Sequence, residues 1–399
     1  MRVMESQKHV ALTEAYSAHN YHPLPVVIER AEGVWMYDVE GKKYLDFLSS
    51  YSALNWGHSN KRFTEVAKKQ IDKLHLTGRA VFNDKLGSFS KALAELCKLD
   101  VVLPMNTGAE AVETAIKAAR RWGYEKKGVE SAEIIVFDRN FGGRTTTIIS
   151  FATLGEATNN FGPFTPGFKV VPFGDLDAVK SAVTKNTVAI IIEPIQGEGG
   201  INIPPDGFLK QLRELCTEEN ILFVADEVQT GFCRTGEVFA CEAEGVLPDI
   251  YILGKALGAG IIPVSAVVGS ADVMEVFRPG SHGSTYGGNP LGCALGLEVI
   301  NYIKEERPHQ RAKELGDWFM KELSSYNLKK VKEVRGRGLM IGIEVSKDFG
   351  DAYQYCLELA KLGVITKDTR KSTMRVAPPL IIEKDELAYG LSLIKKVLQ

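Results

Sequence analysis

Cysteine is scarce and unpatterned: six residues (Cys97, Cys216, Cys233, Cys241, Cys293 and Cys356) in 399, with no C-x-x-C pair. In a chain of this length such scatter excludes a disulfide framework and points to reduced thiols. Neither charge is in excess, since 48 basic and 50 acidic side chains leave a net charge of -2. That balance argues against a dedicated nucleic-acid or anionic-membrane binder. The opening residues Met-Arg-Val-Met-Glu-Ser-Gln-Lys-His have no apolar signal core, and no Arg/Ser-rich transit segment follows. The nearest approach to a membrane span, Ile250 to Gly269, contains Lys255, Pro263 and four glycines. It reads as buried strand, loop and strand. A soluble, cytoplasmic protein is expected. Metal spacing is missing as well: His19 and His22 lie three apart in a proline-rich arm without further ligands. Gly336-Arg-Gly338 lacks the rest of a dinucleotide fingerprint.

What is present is an ordinary globular composition, 45% hydrophobic and 25% charged, long enough for two or three domains. Gly33-Val-Trp-Met-Tyr-Asp and Lys43-Tyr-Leu-Asp-Phe flank the Glu40-Gly41 turn as a small hairpin. From about Asn55 to Pro290, strands alternate with helices. The strands expected are 133–137, 146–150, 168–172, 188–193, 222–226, 250–253 and 264–269, with helices over 109–126 and 207–219. The alternation predicts an α/β fold whose mostly parallel central sheet is covered on both faces. Beyond Pro290 a helix leads into a smaller α+β region, with strands near 338–345 and 374–377. The expected division is an amino-terminal arm and hairpin over 1–54, a large domain over 55–290 and a small domain over 291–399.

Two residues carry the chemistry. Asp226 ends the apolar run Ile221-Leu-Phe-Val-Ala-Asp, and Lys255 follows Ile250-Tyr-Ile-Leu-Gly. Ligands of open α/β sheets sit outside the carboxyl ends of strands, where both residues fall. A lysine and an aspartate there match the needs of a pyridoxal 5'-phosphate site. The amine forms a Schiff base with the cofactor aldehyde, and the carboxylate keeps the pyridine nitrogen protonated. Alone, Asp226 reads as a turn residue and Lys255 as a solvated strand end; the pairing is what points to the cofactor.

Thr107-Gly-Ala-Glu110 opens a helix whose Val112, Ala115, Ile116, Ala119 and Trp122 share one face. Thr107 and Glu110 fit a capping box. Such a terminus suits a phosphate, and Gly108 lets it come close. By itself the same pattern also fits a capped helix that binds nothing.

Taken together, the blocks Asn106-Thr-Gly-Ala-Glu-Ala, Glu193-Pro-Ile-Gln-Gly-Glu198, Ala225-Asp-Glu-Val-Gln-Thr-Gly231, Gly254-Lys-Ala-Leu, Gly283-Ser-Thr-Tyr-Gly-Gly-Asn-Pro290 and Arg375-Val-Ala-Pro-Pro resemble class-III, fold-type-I aminotransferases. The resemblance runs from about Tyr21 to Pro379. It implies that Lys255 bears the cofactor, Asp226 meets the pyridinium and Gln229 the phenolic oxygen. It also implies that Phe141 stacks on the ring, and that Thr107, Gly108 and Ala109 form the phosphate site. Ser284 and Thr285 would reach that phosphate from a second subunit, which implies a homodimer.

Ala18-His-Asn-Tyr-His-Pro-Leu-Pro25 and Leu48-Ser-Ser-Tyr-Ser-Ala53 resemble the family members that act on ornithine. The implied reaction moves the δ-amino group of L-ornithine to 2-oxoglutarate, giving glutamate 5-semialdehyde and glutamate. Another ω-aminotransferase, for acetylornithine or 4-aminobutyrate, is the alternative. Arginine can grip a carboxylate bidentately. Arg144 is expected to hold ornithine's carboxylate and the distal carboxylate of glutamate, and Arg375 glutamate's α-carboxylate. Glu198 would neutralise Arg375 while ornithine is bound, since an idle buried charge is costly. Tyr21 and Tyr51 would read ornithine's unreacted amine. Gly142-Gly143 departs from many relatives, which carry a bulkier residue before the glycine, and suggests a more open second face of the pocket.

Overall fold

Val188-Ala-Ile-Ile-Ile192 and Leu222-Phe-Val-Ala-Asp226 are unbroken apolar runs too short for helices, and every residue of both is buried in a strand. Continuous rather than alternating apolar sequence is what a sheet covered on both sides requires. The structure, a computed structural model, describes residues 5–153 and 155–399; the first four residues of the expected arm lie outside it.

The main sheet has seven strands: β1 (Val101–Met105), β2 (Glu133–Phe137), β3 (Phe168–Val171), β4 (Thr187–Ile192), β5 (Leu222–Asp226), β6 (Ile250–Leu253) and β7 (Ser265–Gly269). Their order across the sheet is β1-β7-β6-β5-β4-β2-β3. Strands β2 to β6 are parallel, whereas β7 runs antiparallel to both β1 and β6. The fold is the α/β architecture with a mostly parallel sheet that the sequence predicts.

The helix α1 (Gly108–Trp122) covers one face, burying Ala111, Val112, Ala115, Ile116, Ala119 and Trp122 against Ile134, Val136, Val224 and Ile252. Helix Phe208–Glu218 and helix Pro290–Glu306 contribute to the larger cluster that contains Phe137, Ile190, Phe223 and Tyr251. One expected strand is not a strand: Thr146–Ile149 is a short helical turn. The β-branched run reads as extended, but the hydroxyl of Thr145 accepts the Ile148 N–H at 3.3 Å and caps the turn.

Two four-stranded sheets complete the fold. In one, Val364–Ile365 pairs in parallel with Lys43–Asp46 of the amino-terminal hairpin. In the other, Val331–Arg337, Met340–Val345 and Thr373–Val376 carry Arg375 toward the main sheet. The strand order reverses between β2 and β4, because β3 lies outside β2 and the chain then crosses back to β4. The crevice at their carboxyl ends is the expected ligand position for such a sheet.

Candidate active site

A cavity of about 190 Å³ opens at those carboxyl ends, lined by Gly108, Ala109, Phe141, Gly142, Gly143, Glu193, Asp226, Val228, Gln229 and Lys255. The lining residues come from the carboxyl ends of five strands. Asn106 to Ala109 follow β1, Phe141 follows β2 and Glu193 follows β4. Asp226 ends β5, with Val228 and Gln229 just beyond it, and Lys255 comes after β6. Lys255 has a φ of 43°. A lysine in the left-handed region is strained by roughly 1–2 kcal/mol, and the turn is held by Leu257 N–H on the Gly254 carbonyl at 3.0 Å.

The site is an enclosed set of charges. Burial lowers the Lys255 amine below its usual range, opposed by Glu198, Asp226 and Glu193. Burial raises Asp226 to about 6, against the Val228 N–H that donates to its Oδ1 at 3.1 Å and the nearby Lys255. Burial, reinforced by Asp226, pushes Glu193 up to about 8. Both carboxyls are thus pushed toward their protonated forms, Glu193 further than Asp226 because Asp226 lies beside it. Glu193 also shapes the cavity: its two oxygens accept Phe141 N–H at 2.9 Å and Gly197 N–H at 3.3 Å.

The capping box at the start of α1 is complete. Glu110 Oε2 accepts the N–H groups of Asn106 and Thr107 at 3.1 and 2.7 Å, and Thr107 Oγ1 accepts that of Glu110 at 3.2 Å. Gly108 and Ala109 N–H have no acceptor among the described residues. A Cβ on Gly108 would lie 3.1 Å from Val228 Cγ1, so the glycine keeps this approach open.

Arg375 is 4% exposed and donates to both oxygens of Glu198, Nη1 to Oε1 at 2.5 Å and Nη2 to Oε2 at 3.2 Å. Its guanidinium lies 4.7 Å from the Tyr51 ring centroid. Tyr51 sits in an unusual turn: Ser49, Ser50, Tyr51 and Ser52 all have positive φ, 47°, 46°, 60° and 74°. Four successive left-handed non-glycine residues need support from elsewhere. Asp46 Oδ1 accepts the N–H groups of Leu48 and Ser49 at 2.8 and 2.9 Å, and Ser49 Oγ donates to the Ala377 carbonyl at 2.6 Å. Fully buried Arg234 donates to Asn55 Oδ1 and to the Pro378 carbonyl, both at 2.6 Å, and to the Leu339 carbonyl at 2.9 Å.

Tyr21, 77% exposed, lines a groove with Tyr51 and Leu48. Arg144 is exposed, its guanidinium 5.5 Å from the Phe141 ring centroid. Ser284 and Thr285 do not line the cavity of their own chain. Ser284 Oγ accepts from Asn106 Nδ2 at 2.8 Å, and Thr285 is exposed. Gly142 itself lines the cavity. Its Cβ would meet Ile148 and Val112 at 3.3 Å each, so a side chain there would press into the core rather than fill the cavity. Sequence reasoning quoted Glu193 within a motif but gave it no role; its place after an apolar strand, like that of Asp226, was the available signal. Arg234 was missed because nothing local marks an arginine that will be buried.

Residues 16–398 match the family Aminotransferase class-III. An ornithine aminotransferase of Brevibacillus brevis is 53% identical over 97% of this chain and 96% of its own length. One of Oceanobacillus iheyensis is 54% identical over 97% of each chain. Among solved structures, an ornithine aminotransferase from Toxoplasma gondii with partial occupancy of PLP superposes with a TM-score of 0.98 at 42% identity, covering 100% of this chain and 95% of that one. An acetylornithine aminotransferase from Elizabethkingia anophelis gives 0.89 at 44% identity, covering 98% of each. The chain belongs to the class-III aminotransferases, a family of pyridoxal phosphate enzymes. The cavity fits that cofactor: two uncommitted amides could receive a phosphate, an aromatic side chain could meet a ring, and a buried carboxylate and a lysine of lowered basicity stand within the same walls.

Proposed function

We infer that this enzyme transfers the δ-amino group of L-ornithine to a 2-oxo acid, 2-oxoglutarate, by alternating half-reactions in one cavity. The observation that carries this reading is the Arg375–Glu198 pair beside Tyr51, a carboxylate-binding arginine masked by an internal carboxylate. Ornithine must present its terminal amine and so brings no carboxylate near the reacting carbon; Glu198 fills that place. A 2-oxo acid brings one, and Glu198 must yield to it.

Gly108, Ala109 and Thr107 would hold the cofactor's phosphate, Phe141 and Val228 its ring faces, Asp226 its ring nitrogen, Gln229 its phenolic oxygen and Lys255 its aldehyde carbon. Bound there, pyridoxal phosphate supplies an aldehyde for amine exchange and a ring that accepts the electrons of a broken C–H bond. The enclosed Lys255 amine, made less basic by burial, takes and returns the proton at the substrate carbon. Arg144 at the rim grips ornithine's carboxylate and the distal carboxylate of the oxo acid, and Tyr21 and Tyr51 read ornithine's α-amine. Glu193 fixes the Phe141 loop, and its raised pKa lessens the negative charge it places beside Asp226.

The phosphate site is completed by Ser284 and Thr285 of a second copy, in a homodimer. Exposed Val81 and Phe82, at 60% and 100%, are apolar surface suited to that contact. We place the enzyme in the cytoplasm, where six buried free thiols stay reduced. No helix of the described residues is long and apolar enough to cross a membrane.

The test is a spectroscopic titration of the yellow holoenzyme with ornithine, acetylornithine and 4-aminobutyrate. Ornithine should bleach it fastest, and Tyr51→Ile should shift preference toward amines without an α-amino group. An unchanged preference would overturn the role of Tyr51, and a colourless or unresponsive protein the reaction itself.

A further inference from the structure

The reading above requires Glu198 to leave Arg375, and a carboxylate released inside a protein needs somewhere to go. Thr369 Oγ1 donates to the backbone carbonyl of Glu198 at 2.7 Å, which pins its main chain and leaves its side chain to move. The next residue, Arg370, sits in the turn between strands Asp368–Thr369 and Thr373–Val376, the same hairpin that presents Arg375. Arg370 has a φ of 53° and Lys371 one of 63°, while Ser372 N–H donates to the Arg370 carbonyl at 2.7 Å, so the turn is tight. The Arg370 guanidinium is half-buried. Its Nε and Nη2 are shielded from solvent and have no hydrogen-bond partner among the described residues. Such a group is unfavourable unless an anion reaches it. Burial and Arg139 lower its basicity, while Asp138, Glu193 and Glu198 act in the opposite direction, so it lies within the electrostatic reach of the site's acids.

We propose that Arg370 is the second seat of Glu198: the carboxylate pairs with Arg375 when ornithine occupies the cavity and with Arg370 when a 2-oxo acid claims Arg375. The proposal rests on the function inferred above and adds to it the alternative partner. Arg370 is a positioning residue, because it acts through Glu198 and does not touch substrate. By stabilising the outward position it reduces the penalty that 2-oxoglutarate meets on binding, a population shift between two placements of one side chain.

Stopped-flow half-reactions of the holoenzyme separate the alternatives. Arg370→Ala should raise the apparent Kd of 2-oxoglutarate roughly fivefold, the scale of a partly exposed ion pair. The apparent Kd of ornithine should stay at the wild-type value, a split that a general loss of structure would not give. Arg370→Gln, close in shape, should behave like the alanine variant, and Arg370→Lys should recover most of the affinity. In a Glu198→Ala background, Arg370→Ala should have no further effect. If it weakens 2-oxoglutarate equally in both backgrounds, Arg370 contacts the oxo acid directly and the proposal is wrong. It is equally wrong if Arg370→Ala changes nothing in the wild-type background. Should Arg375→Ala leave the 2-oxoglutarate half-reaction intact, the parent reading fails instead.

Discussion

Gly197 and Gln229 are packed so closely that a Cβ on the glycine would fall 1.5 Å from Gln229 Oε1. The pair joins the loop after β4 to the loop after β5. It fixes an amide whose Nε2 reaches the Tyr51 carbonyl at 3.5 Å. Gly197→Ala must therefore displace Gln229 from the cavity wall. The clashing atom is the free end of a flexible side chain, so the shift itself costs little, and cofactor affinity should fall about fivefold, the scale of one lost hydrogen bond. Cofactor titration followed by absorbance checks it, and retention of wild-type affinity would deny Gln229 a part in binding.

Arg375→Ala leaves Glu198 without its partner and, on the function inferred above, the oxo acid without its clamp. Truncating one side of a buried, hydrogen-bonded charge pair costs roughly 2–5 kcal/mol. The apparent Kd of 2-oxoglutarate should rise about a hundredfold, with a much smaller change for ornithine. Arg375→Lys should recover little of this, because an ammonium cannot reproduce the planar two-point grip. Single-turnover rates with each substrate give the comparison.

The acids at the cavity floor make the cofactor-free protein sensitive to alkali. Glu193 is raised in the folded state to about 8, so the folded chain binds its proton more tightly than the unfolded chain does. Its stabilising effect is fully present below the unfolded carboxyl range and is lost as pH rises through about 8. Thermal melts of the cofactor-free protein should show Tm falling over that window, and Glu193→Gln should flatten the slope. A slope unaltered in the glutamine variant would place the titration elsewhere.

Arg234→Met tests the support under Tyr51. The change strands the Asn55 amide oxygen and the Leu339 and Pro378 carbonyls in the core. Unfolding free energy should drop by about 3 kcal/mol. Because the left-handed turn loses a brace, the KM for ornithine should rise more than that for 2-oxoglutarate. Denaturant melts and steady-state kinetics measure the two effects separately.

The chemistry of the site was legible where local pattern and local geometry coincide. Thr107 and Glu110 announce their helix end because a capping box is a short-range device. Asp226 and Lys255 stand at strand ends because apolar runs stop there. The run 146–150 reads as a strand and is not one, since β-branched residues that favour strands include threonines whose hydroxyls cap turns, as Thr145 does here. The left-handed turn at Ser49–Ser52 was invisible because Asp46, Ala377 and Arg234 impose it from distant parts of the chain. Arg370 gave no signal for a different reason: its Nε and Nη2 stand without partners in the fold, and a sequence does not show absent contacts.

The capping box at α1 also limits how many backbone amides the proposed phosphate site can offer. With the amides of Asn106, Thr107 and Glu110 already engaged inside the chain, two backbone donors remain, from Gly108 and Ala109. Two amides can serve one phosphoryl group and leave the extra oxygens of a di- or triphosphate without partners. Any further oxygens of a larger anion at this helix end would have to be met by side chains.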